Sequence, residues 1–435
     1  MGINDTIGSL SLTVTTFEDS SRNIVTSKFF DGLGRTTSTV QNEDSGAGIT
    51  TTTSYDGLAR VSQTSNPFRQ GDSLLYTTTA YDGLSRVTSV TSPDSSAVNT
   101  YYSGNRVLVK DQAGKERLSQ VDGIGRLTDV WEITTAADSA TDSVTFPQHS
   151  EAAFGYHTSY GYDVLGDLTL VSQGNQSRTF KYDGLKRLSQ AVNPESQTIS
   201  YAYDNDGNLT TKSDSRGVAI SYVYDHLNRI TSRTYTGSPT PPVSYFYDGL
   251  GVSGGVANSI GRLTAMSSSV SEGDYTAYDA TGRVTGYTQK TGGQSYAMAY
   301  SYNLAGAMTS ETYPSGRIVN TQYDTAGRIN QVSSGATKYE RDIAYAAFGG
   351  VTSATLGNSL VEQTTFDSNR LQPTEIQLGQ SGTPGSVFDL QYTYNSGSTT
   401  HDDNGDILEE KLTVGTNVWD QKYTYDSLNR IASAA

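Results

Sequence analysis

The chain has 435 residues, no cysteine, and 30 Lys and Arg against 45 Asp and Glu, a formal charge of −15. The acidic balance excludes a nucleic-acid partner, and the lack of cysteine excludes disulfide frameworks and cysteine metal sites. No stretch approaches the ~20 apolar residues that span a bilayer, so no membrane insertion is expected. Thirty tyrosines and 44 glycines, with few helix-forming runs, predict an almost all-β protein.

One short segment recurs along the whole chain. It first appears as "FFDGLGR" at Phe29–Arg35 and returns as "YDGLAR" at Tyr55–Arg60. The spacing later becomes regular, because Tyr182, Tyr203 and Tyr224 follow one another at 21 residues. A period of this length predicts an array of small units in place of separate domains. Related segments occur at Tyr81–Arg86, Val121–Arg126, Tyr162–Asp167, Tyr182–Arg187, Tyr203–Asn208, Tyr224–Arg229, Tyr247–Gly251, Tyr278–Arg283, Tyr302–Ala307, Tyr323–Arg328, Tyr345–Gly350, Phe366–Arg370, Tyr394–Ser398 and Tyr425–Arg430.

Each segment is predicted to form the turn of a β-hairpin, because Asp caps turns, Gly or Asn adopts a left-handed conformation, and β-formers flank both sides. A four-residue loop, Asp82–Ser85, would place Tyr81 opposite Arg86, so we expect the ring and guanidinium of one hairpin to stack. Val87 is expected on the other face. The predicted turn residues are Asp31, Arg35, Tyr55, Asp56, Gly57, Arg60, Tyr81, Asp82, Gly83, Arg86, Tyr182, Asp183, Gly184, Arg187, Tyr224, Asp225, Arg229, Tyr278, Asp279, Arg283, Tyr323, Asp324, Arg328, Tyr425, Asp426 and Arg430.

A second family of turns lies half a period away. It includes "SPDSS" at Ser92–Ser96, "NPESQ" at Asn193–Gln197, "SDSRG" at Ser213–Gly217 and "YPSGR" at Tyr313–Arg317. Two alternating turn classes predict an up-and-down meander, and a sheet that long must curl or close to cover its edges. The predicted fold class is therefore all-β, with repetitive antiparallel hairpins forming a spiral, curled or hollow-shell sheet.

The repeated "YDGLGR"-type turn, its following aliphatic strand and the "YPSGR"-type return resemble the YD repeat of the RHS (rearrangement hot spot) family, and the resemblance covers practically the whole chain. It implies a β-ribbon wound into a hollow shell, which in toxins of the family encloses a C-terminal polypeptide and in other members presents an adhesive surface. It also implies a secreted or cell-surface location.

The family's core region, which ends the shell and releases the cargo by self-cleavage, carries an Asp-Pro segment that this sequence lacks. We therefore expect one continuous repeat array over residues 1–435, without core, protease or toxin regions. Two longer insertions are expected, near residues 132–159 and 251–259, where the repeat is interrupted.

Few residues outside the turns suggest chemistry, and we predict no catalytic residue and no cofactor. Asp402, Asn404 and Asp406 alternate as calcium ligands do, but the glycine and glutamate of a full loop are absent, so they are weak metal candidates. "GVSGG" at Gly251–Gly255 matches the motif of an acyl-transfer serine without the helix that should follow it. No zinc-type spacing joins the four histidines, which are His149, His157, His226 and His401.

The leading hypothesis is a non-enzymatic shell segment that encapsulates or displays a C-terminal effector polypeptide in its parent protein. One alternative is a secreted or cell-surface binding module, in which the Tyr/Arg face, with Trp131 and Trp419, or the inserted loops would bind glycans or a partner protein. Another is an enzyme with a carboxylate site inside a cavity. The expected partners are a cargo polypeptide or a cell-surface protein, with a glycan as a further candidate.

Overall fold

The computed structural model describes residues 2–5, 11–19, 22–43, 46, 48–134, 155–397 and 400–435, and for residues 2–5 the backbone alone. In this part of the chain every regular element is a β-strand. The same residues contain no helix with the length and apolar character needed to cross a membrane.

The first 24 strands form what we term the first coil. Their bounds are β1 Gly2–Asp5, β2 Ser11–Phe17, β3 Asn23–Phe30, β4 Thr36–Gln41, β5 Ile49–Tyr55, β6 Val61–Ser65, β7 Tyr76–Tyr81, β8 Val87–Thr91, β9 Ala97–Ser103, β10 Arg106–Lys110, β11 Glu116–Val121, β12 Leu127–Ile133, β13 Gly155–Tyr162, β14 Leu168–Gln173, β15 Gln176–Tyr182, β16 Leu188–Asn193, β17 Gln197–Tyr203, β18 Leu209–Asp214, β19 Ala219–Tyr224, β20 Ile230–Thr236, β21 Val243–Tyr247, β22 Leu263–Ser267, β23 Ser271–Tyr278 and β24 Val284–Thr291.

The remaining strands form the second coil. Their bounds are β25 Gln294–Tyr302, β26 Met308–Thr312, β27 Ile318–Tyr323, β28 Ile329–Ser334, β29 Thr337–Tyr345, β30 Val351–Leu356, β31 Leu360–Phe366, β32 Pro373–Gln380, β33 Thr383–Thr393, β34 Glu409–Val414, β35 Asn417–Tyr425 and β36 Ile431–Ala434.

Among the 36 strands in the described residues, consecutive strands pair antiparallel all along the chain, from β1 with β2 to β35 with β36. The result is one long ribbon with two edges. The YD edge carries the turns that join an odd-numbered strand to the next even-numbered one, and the return edge carries the other turns. The predicted all-β meander is confirmed.

The YD turn is one residue longer than expected. The backbone N–H of Asp82 donates to the carbonyl of Arg86 at 3.0 Å, and a left-handed Ser85 (φ 62°) donates to Asp82 O at 3.0 Å. The register then shifts at Ala80 and Tyr81, which places Tyr81 opposite Val87. The expected Tyr81–Arg86 pairing is therefore wrong. Because directly opposed residues share a face, the expected separation of Tyr81 and Val87 onto two faces is also wrong.

The ribbon winds back onto itself, and contacts between the coils join residues 274 to 318 positions apart. The return turn between β2 and β3 meets the YD turn between β25 and β26, where Leu304 N–H donates to Glu18 O at 3.0 Å. The same relation continues along the ribbon as far as the turn between β35 and β36, which meets Asp111 of the first coil. We term this line of contacts the seam. It confirms the predicted spiral.

Further hydrogen bonds across the seam all join a return turn of the first coil to a YD turn of the second. They connect Arg22 to Tyr323, Gln41 to Ala326, Asn66 to Ser368 and Asn369, Arg69 to Tyr345, Ser92 and Ser96 to Arg370, Asp94 to His401, and Asp111 to Asn404 and Asn429.

Of the two expected insertions, the one near residues 132–159 lies mostly outside the described residues, and the one near residues 251–259 lies within them. Residues 132–133 end β12 and residues 155–159 begin β13, while residues 135–154 lie outside the described residues. The segment 251–259 folds against neighbouring turns. Buried Ser259 donates to Val256 O at 2.6 Å, and Asn258 Nδ2 donates to Tyr278 O at 3.1 Å. This segment therefore forms part of the wall.

Most side chains of the ribbon are half-buried, because a single sheet has no second layer over it. The described residues contain one buried hydrophobic cluster, formed by Leu108, Leu118, Trp131 and Ile133 with Tyr101 packed against it. Leu118 is directly opposite Leu108 on one side and Trp131 on the other, so the cluster runs across successive strands. Elsewhere the contacts between neighbouring strands and turns must carry the stability.

The seam can be tested with cysteines, since the chain has none of its own. Asn429 Nδ2 donates to Asp111 Oδ2 at 3.0 Å across the seam. We expect the double variant Asp111→Cys/Asn429→Cys to be linked by a short bifunctional maleimide within one chain, with faster migration on a denaturing gel. Asn228, which holds the same turn position in the first coil, supplies the control Asp111→Cys/Asn228→Cys. Equal linking of both variants would contradict the seam.

Candidate functional site

The acid and the arginine of each YD turn bond to each other. Asp82 Oδ2 accepts from Arg86 Nε at 2.7 Å, while Oδ1 accepts the backbone N–H groups of Leu84 and Arg86 at 2.9 and 3.0 Å. These charge-assisted bonds fix the arginine over its own turn. The same Nε contact measures 2.6–2.8 Å in Asp31–Arg35, Asp56–Arg60, Asp122–Arg126, Asp183–Arg187, Asp225–Arg229, Asp279–Arg283, Asp324–Arg328 and Asp426–Arg430.

Nine arginines of the YD edge stack on the tyrosine of the next hairpin, whereas Arg430 lies 5.6 Å from the centre of the Tyr156 ring in the first coil. The Arg60 guanidinium lies 4.4 Å from the centre of the Tyr81 ring, and its Nη1 donates to Asp82 O at 3.2 Å. The expected stack within one hairpin is wrong because the longer turn points the arginine toward the following repeat. The other such pairs, at 4.2–5.8 Å, are Arg35–Tyr55, Arg86–Tyr102, Arg126–Tyr162, Arg187–Tyr203, Arg229–Tyr247, Arg262–Tyr278, Arg283–Tyr302 and Arg328–Tyr345.

The tyrosine hydroxyl completes the connection between hairpins. Tyr81 Oη donates at 2.8 Å to the carbonyl of Val61, the residue that follows Arg60 in the preceding turn. We term the repeated set of Asp–Arg, Arg–Tyr and Tyr–carbonyl contacts the YD ladder. The same hydroxyl bond joins Tyr55 to Thr36, Tyr102 to Val87, Tyr162 to Leu127, Tyr203 to Leu188, Tyr224 to Leu209, Tyr247 to Ile230, Tyr278 to Leu263, Tyr302 to Val284, Tyr323 to Met308, Tyr345 to Ile329, Tyr394 to Pro373 and Tyr425 to Ile407.

Where the sequence departs from the repeat, a neighbour compensates. Asp167 occupies an arginine position, and Lys186 of the next turn reaches back to it at 3.6 Å. Asn208 occupies another arginine position, bonding to Asp204 Oδ2 at 3.0 Å and to Asn228 Oδ1 at 2.9 Å. Contact between successive turns is therefore kept without the arginine.

Within the YD ladder the pKa of several aspartates is lowered and the pKa of several tyrosines is raised. The Arg60 side chain and backbone N–H lower the pKa of Asp56, and Arg430 lowers the pKa of Asp426 to about 2. Burial raises the pKa of the Tyr203 and Tyr224 hydroxyls. The charged carboxylates and the neutral phenols are thus the forms that the folded ribbon favours.

A buried carboxylate joins the two coils. The Glu43 side chain is 4% exposed and lies between two arginines, Arg69 of the same coil and Arg328 of the other. Arg69 Nη2 is 2.8 Å from Glu43 Oε2 and 2.9 Å from Tyr345 O, and Arg328 Nη2 is 3.2 Å from the same Glu43 oxygen. Removing one partner of such a buried group costs about 3–5 kcal/mol, because the remaining charge is left uncompensated.

A second buried acid lies further along the seam. Glu18 accepts from Asn303 Nδ2 at 3.4 Å, and its carbonyl accepts from Leu304 N–H. Burial raises the pKa of Glu18, while the Arg22 guanidinium 3.9 Å away opposes that rise. The acids of the return turns therefore contact the YD turns of the second coil.

The structure does not gather the weak metal candidates into one site. Asp402 accepts the Ser396 backbone N–H at 3.2 Å, whereas the Asn404 amide is 3.1 Å from Asp406 and 3.2 Å from Asp111 of the first coil. No three Asp, Glu or His side chains among the described residues could together hold a metal ion. Asn404 instead contributes to the seam.

The remaining candidates from the sequence are the four histidines and the Gly251–Gly255 motif. His157 bonds to Asp129 at 2.9 Å and stacks on Trp131, and His401 bonds to Asp94 O at the seam. His226 lies exposed in a YD turn, and His149 lies outside the described residues. Gly251–Gly255 forms turns with no helix after it, so the acyl-transfer motif lacks its elbow.

Sequence reasoning missed the seam, because its contacts join residues about a coil apart. The return turns near Glu18, Glu43, Asp94 and Asp111 carry acids, but so do the return turns Asn193–Gln197 and Ser213–Gly217, which lie outside the seam. An acidic return turn alone therefore does not mark the seam.

Comparisons with known proteins agree with this architecture. The family model described as Teneurin YD-shell matches residues 2–248 and, in an overlapping match, residues 169–298. No curated protein matches the chain in a sequence search.

Solved toxin-complex structures share the fold. The crystal structure of TcdB2-TccC3 superposes with a TM-score of 0.81 at 15% identity, and that of TcdB2-TccC3-Cdc42 with 0.80 at 15%. A Photorhabdus luminescens Tc holotoxin pore with a TccC3 mutation gives 0.79 at 14%. Each match covers 98% of this chain and 24% of the other, so the chain spans about a quarter of those proteins.

The pKa shifts predict how stability depends on pH. Lowered carboxylate pKa values stabilise the fold above the unfolded value near 3.8, and this contribution is lost as pH falls through the folded value. Raised tyrosine pKa values stabilise the fold below the unfolded value near 10, and this contribution is lost as pH rises through the folded value. We expect the melting temperature to be flat near neutrality and to fall at both ends.

The variant Asp56→Asn should have a lower melting temperature at neutral pH than the unmodified chain. Its melting temperature should also fall less on acidification, because this ladder carboxylate is already absent. Asp206→Asn, at an exposed turn position, is the matched control and should follow the unmodified chain. Identical acid profiles for the unmodified chain and Asp56→Asn would show that the ladder carboxylates do not set the acid limit.

Proposed function

This chain belongs to the teneurin YD-shell family, and we propose that it forms the wall of a hollow β-shell that encloses a polypeptide cargo in its parent protein. The observation that supports this most is the seam. A ribbon that completes one coil and docks edge to edge on the next forms a curved wall without an open edge between the coils.

The toxin-complex relatives support the same proposal. TcdB2-TccC3 and the Tc holotoxin pore share the wound ribbon, and one related crystal structure is described as lacking a hypervariable C-terminal region. A segment that varies while the shell persists is what a container with exchangeable cargo would have. On this proposal the chain acts outside the cell that makes it.

The glycan-binding alternative loses its main support in the structure. Sugar stacking needs a free aromatic face and free hydroxyls. Tyr81 lies under Arg60, and its hydroxyl bonds to Val61 O; most tyrosines of the YD ladder make both contacts. These tyrosines are therefore committed to contacts within the wall, and Trp131 is buried, whereas Trp419 is 52% exposed.

We propose no enzymatic role. Most of the carboxylates that repeat along the ribbon bond to arginine within their own turn, as Asp82 does to Arg86. Such paired carboxylates are held in the charged state and serve the turn. The proposed role is mechanical: to enclose.

The test is protection of an attached polypeptide. An unstructured segment with one protease site is fused after Ala435, and its cleavage rate is compared with that of the same fusion carrying Glu43→Gln and Arg69→Gln, which remove the Glu43 ion pairs and weaken the seam. An enclosing wall should slow cleavage about tenfold relative to the seam variant.

Far-UV circular dichroism checks that the seam variant keeps its strands, because Glu43 contacts Arg328 and Arg69 contacts Tyr345 O, two residues of the YD ladder. Equal cleavage of both fusions, with the strand signal intact, would show that the wall does not enclose the segment.

A further inference from the structure

One lysine on a face of the sheet lies against two carboxylates. Lys290 Nζ donates to Glu272 Oε1 at 2.7 Å and lies 2.7 Å from Asp274 Oδ2. The pairing of β23 with β24 fixes this arrangement, because Glu272 is directly opposite Lys290 and Asp274, two residues further along β23, is on the same face. We term these three residues the lysine triad. The other lysine ion pairs of the described residues each involve one carboxylate, at 3.2–3.7 Å.

The two carboxylates of the lysine triad differ in burial. The Asp274 side chain is 7% exposed and its Oδ1 is buried without a hydrogen-bond partner, whereas the Glu272 side chain is 35% exposed. A buried carboxylate oxygen that accepts no hydrogen bond has lost its hydration without compensation. Conversion of the Asp274 carboxylate into a neutral amide would remove most of that cost.

The inserted segment near residues 251–259 covers the strand beside Asp274. Asp274 is directly opposite Ala265 of β22, and Ala265 is 1% exposed. Gly251, at a left-handed φ of 78°, lies so close to Ala265 that a Cβ on the glycine would be 2.8 Å from the alanine Cβ. The segment therefore excludes water next to Asp274, and a site without bulk water protects a condensation product from hydrolysis.

The resting state of the lysine triad is ionic. Hydrogen bonds to Asp274 and Glu272 raise the pKa of Lys290, and the hydrogen bond from Lys290 lowers the pKa of Glu272. Attack on a carboxyl carbon needs the neutral amine, which forms when Lys290 passes one proton to Glu272. This requirement makes the reaction slow, but each chain has to complete it only once. Contact between the two groups favours it, because well-oriented intramolecular reactants reach effective concentrations of about 10⁵–10⁸ M.

We propose that Lys290 and Asp274 condense into an isopeptide bond, a covalent link between β23 and β24, with Glu272 as the proton carrier. A bond forms between Lys290 Nζ and Asp274 Cγ, and the bond from Cγ to one carboxyl oxygen breaks. Two of the three ammonium protons leave with that oxygen as water, and Glu272, within hydrogen-bond reach of Asp274, carries them from nitrogen to oxygen. The ammonium and the carboxylate become one neutral amide, so atoms and charge balance without a co-reactant.

Burial assigns the two acids their roles. Asp274 is the group that reacts, because it is the buried carboxylate with an unpartnered oxygen. Glu272 is more exposed and keeps its charge, which suits a group that takes up and returns a proton. The bond would lock the hairpin of β23 and β24 next to the inserted segment, and it does not depend on whether the wall encloses cargo.

The experiment is mass spectrometry of the full chain after incubation at neutral pH. We expect a mass below that of the sequence by one water molecule. Trypsin should then fail to cleave after Lys290, so that residues 263–283 and 284–317 are recovered as one branched peptide. The peptide map is needed because cyclisation of an Asp-Gly turn also releases water, whereas only the isopeptide bond joins these two peptides.

Three variants make the test specific. Lys290→Arg keeps the positive charge but removes the amine, so the two peptides should be recovered separately. Glu272→Gln keeps both reacting groups and should form the bond about 10²-fold more slowly, since it lacks the proton carrier. Lys110→Arg, at the single carboxylate of Glu116, is the matched control and should be linked like the unmodified chain.

Absence of the branched peptide from the unmodified chain after prolonged incubation would overturn the bond. Equal rates of linking in the unmodified chain and in Glu272→Gln would overturn the role given to Glu272.

Discussion

The architecture depends on a connection made by side chains between one hairpin and the next. Asp56 holds Arg60, Arg60 covers the ring of Tyr81, and the Tyr81 hydroxyl returns to Val61 O. An isolated hairpin is marginal in water, and this ribbon has no second layer to pack against. The YD ladder supplies contacts between hairpins outside the backbone pairing, which explains why nearly the same turn is used throughout. Each cation–π contact contributes about 0.5–1 kcal/mol at an exposed site, so its effect comes from repetition.

The two edges of the ribbon differ chemically, and that difference positions the coils. The YD edge presents arginines and turn carbonyls, whereas the early return turns present Glu18, Glu43, Asp94 and Asp111. Winding brings the acids of one edge against the arginines and amides of the other. A sheet of 36 strands would otherwise leave two long rows of turns unsupported. The seam gives one coil a partner.

The sequence predicted the fold well because its information is periodic and local. Aromatic, acid and left-handed residues at a 21-residue spacing predict hairpins, and hairpins in succession predict a ribbon that must wind. It predicted the partner of Tyr81 wrongly because one extra turn residue shifts the register at Ala80 and Tyr81. A shift of one residue changes which side chains face each other. The contact of Asp111 with Asn429 depends on how much each strand pair twists, which no local pattern records.

The most direct measurement is a pair of double-mutant cycles on the free energy of unfolding in urea. One cycle combines Arg60→Gln with Tyr81→Val, across hairpins; the other combines Arg86→Gln with Tyr81→Val, within one hairpin. Valine is tolerated at this position, since Val121 already occupies it in another repeat. The structure predicts coupling of about 0.5–1 kcal/mol for Arg60 with Tyr81 and none beyond error for Arg86. Coupling confined to Arg86 and Tyr81 would contradict a ribbon joined from hairpin to hairpin by the YD ladder.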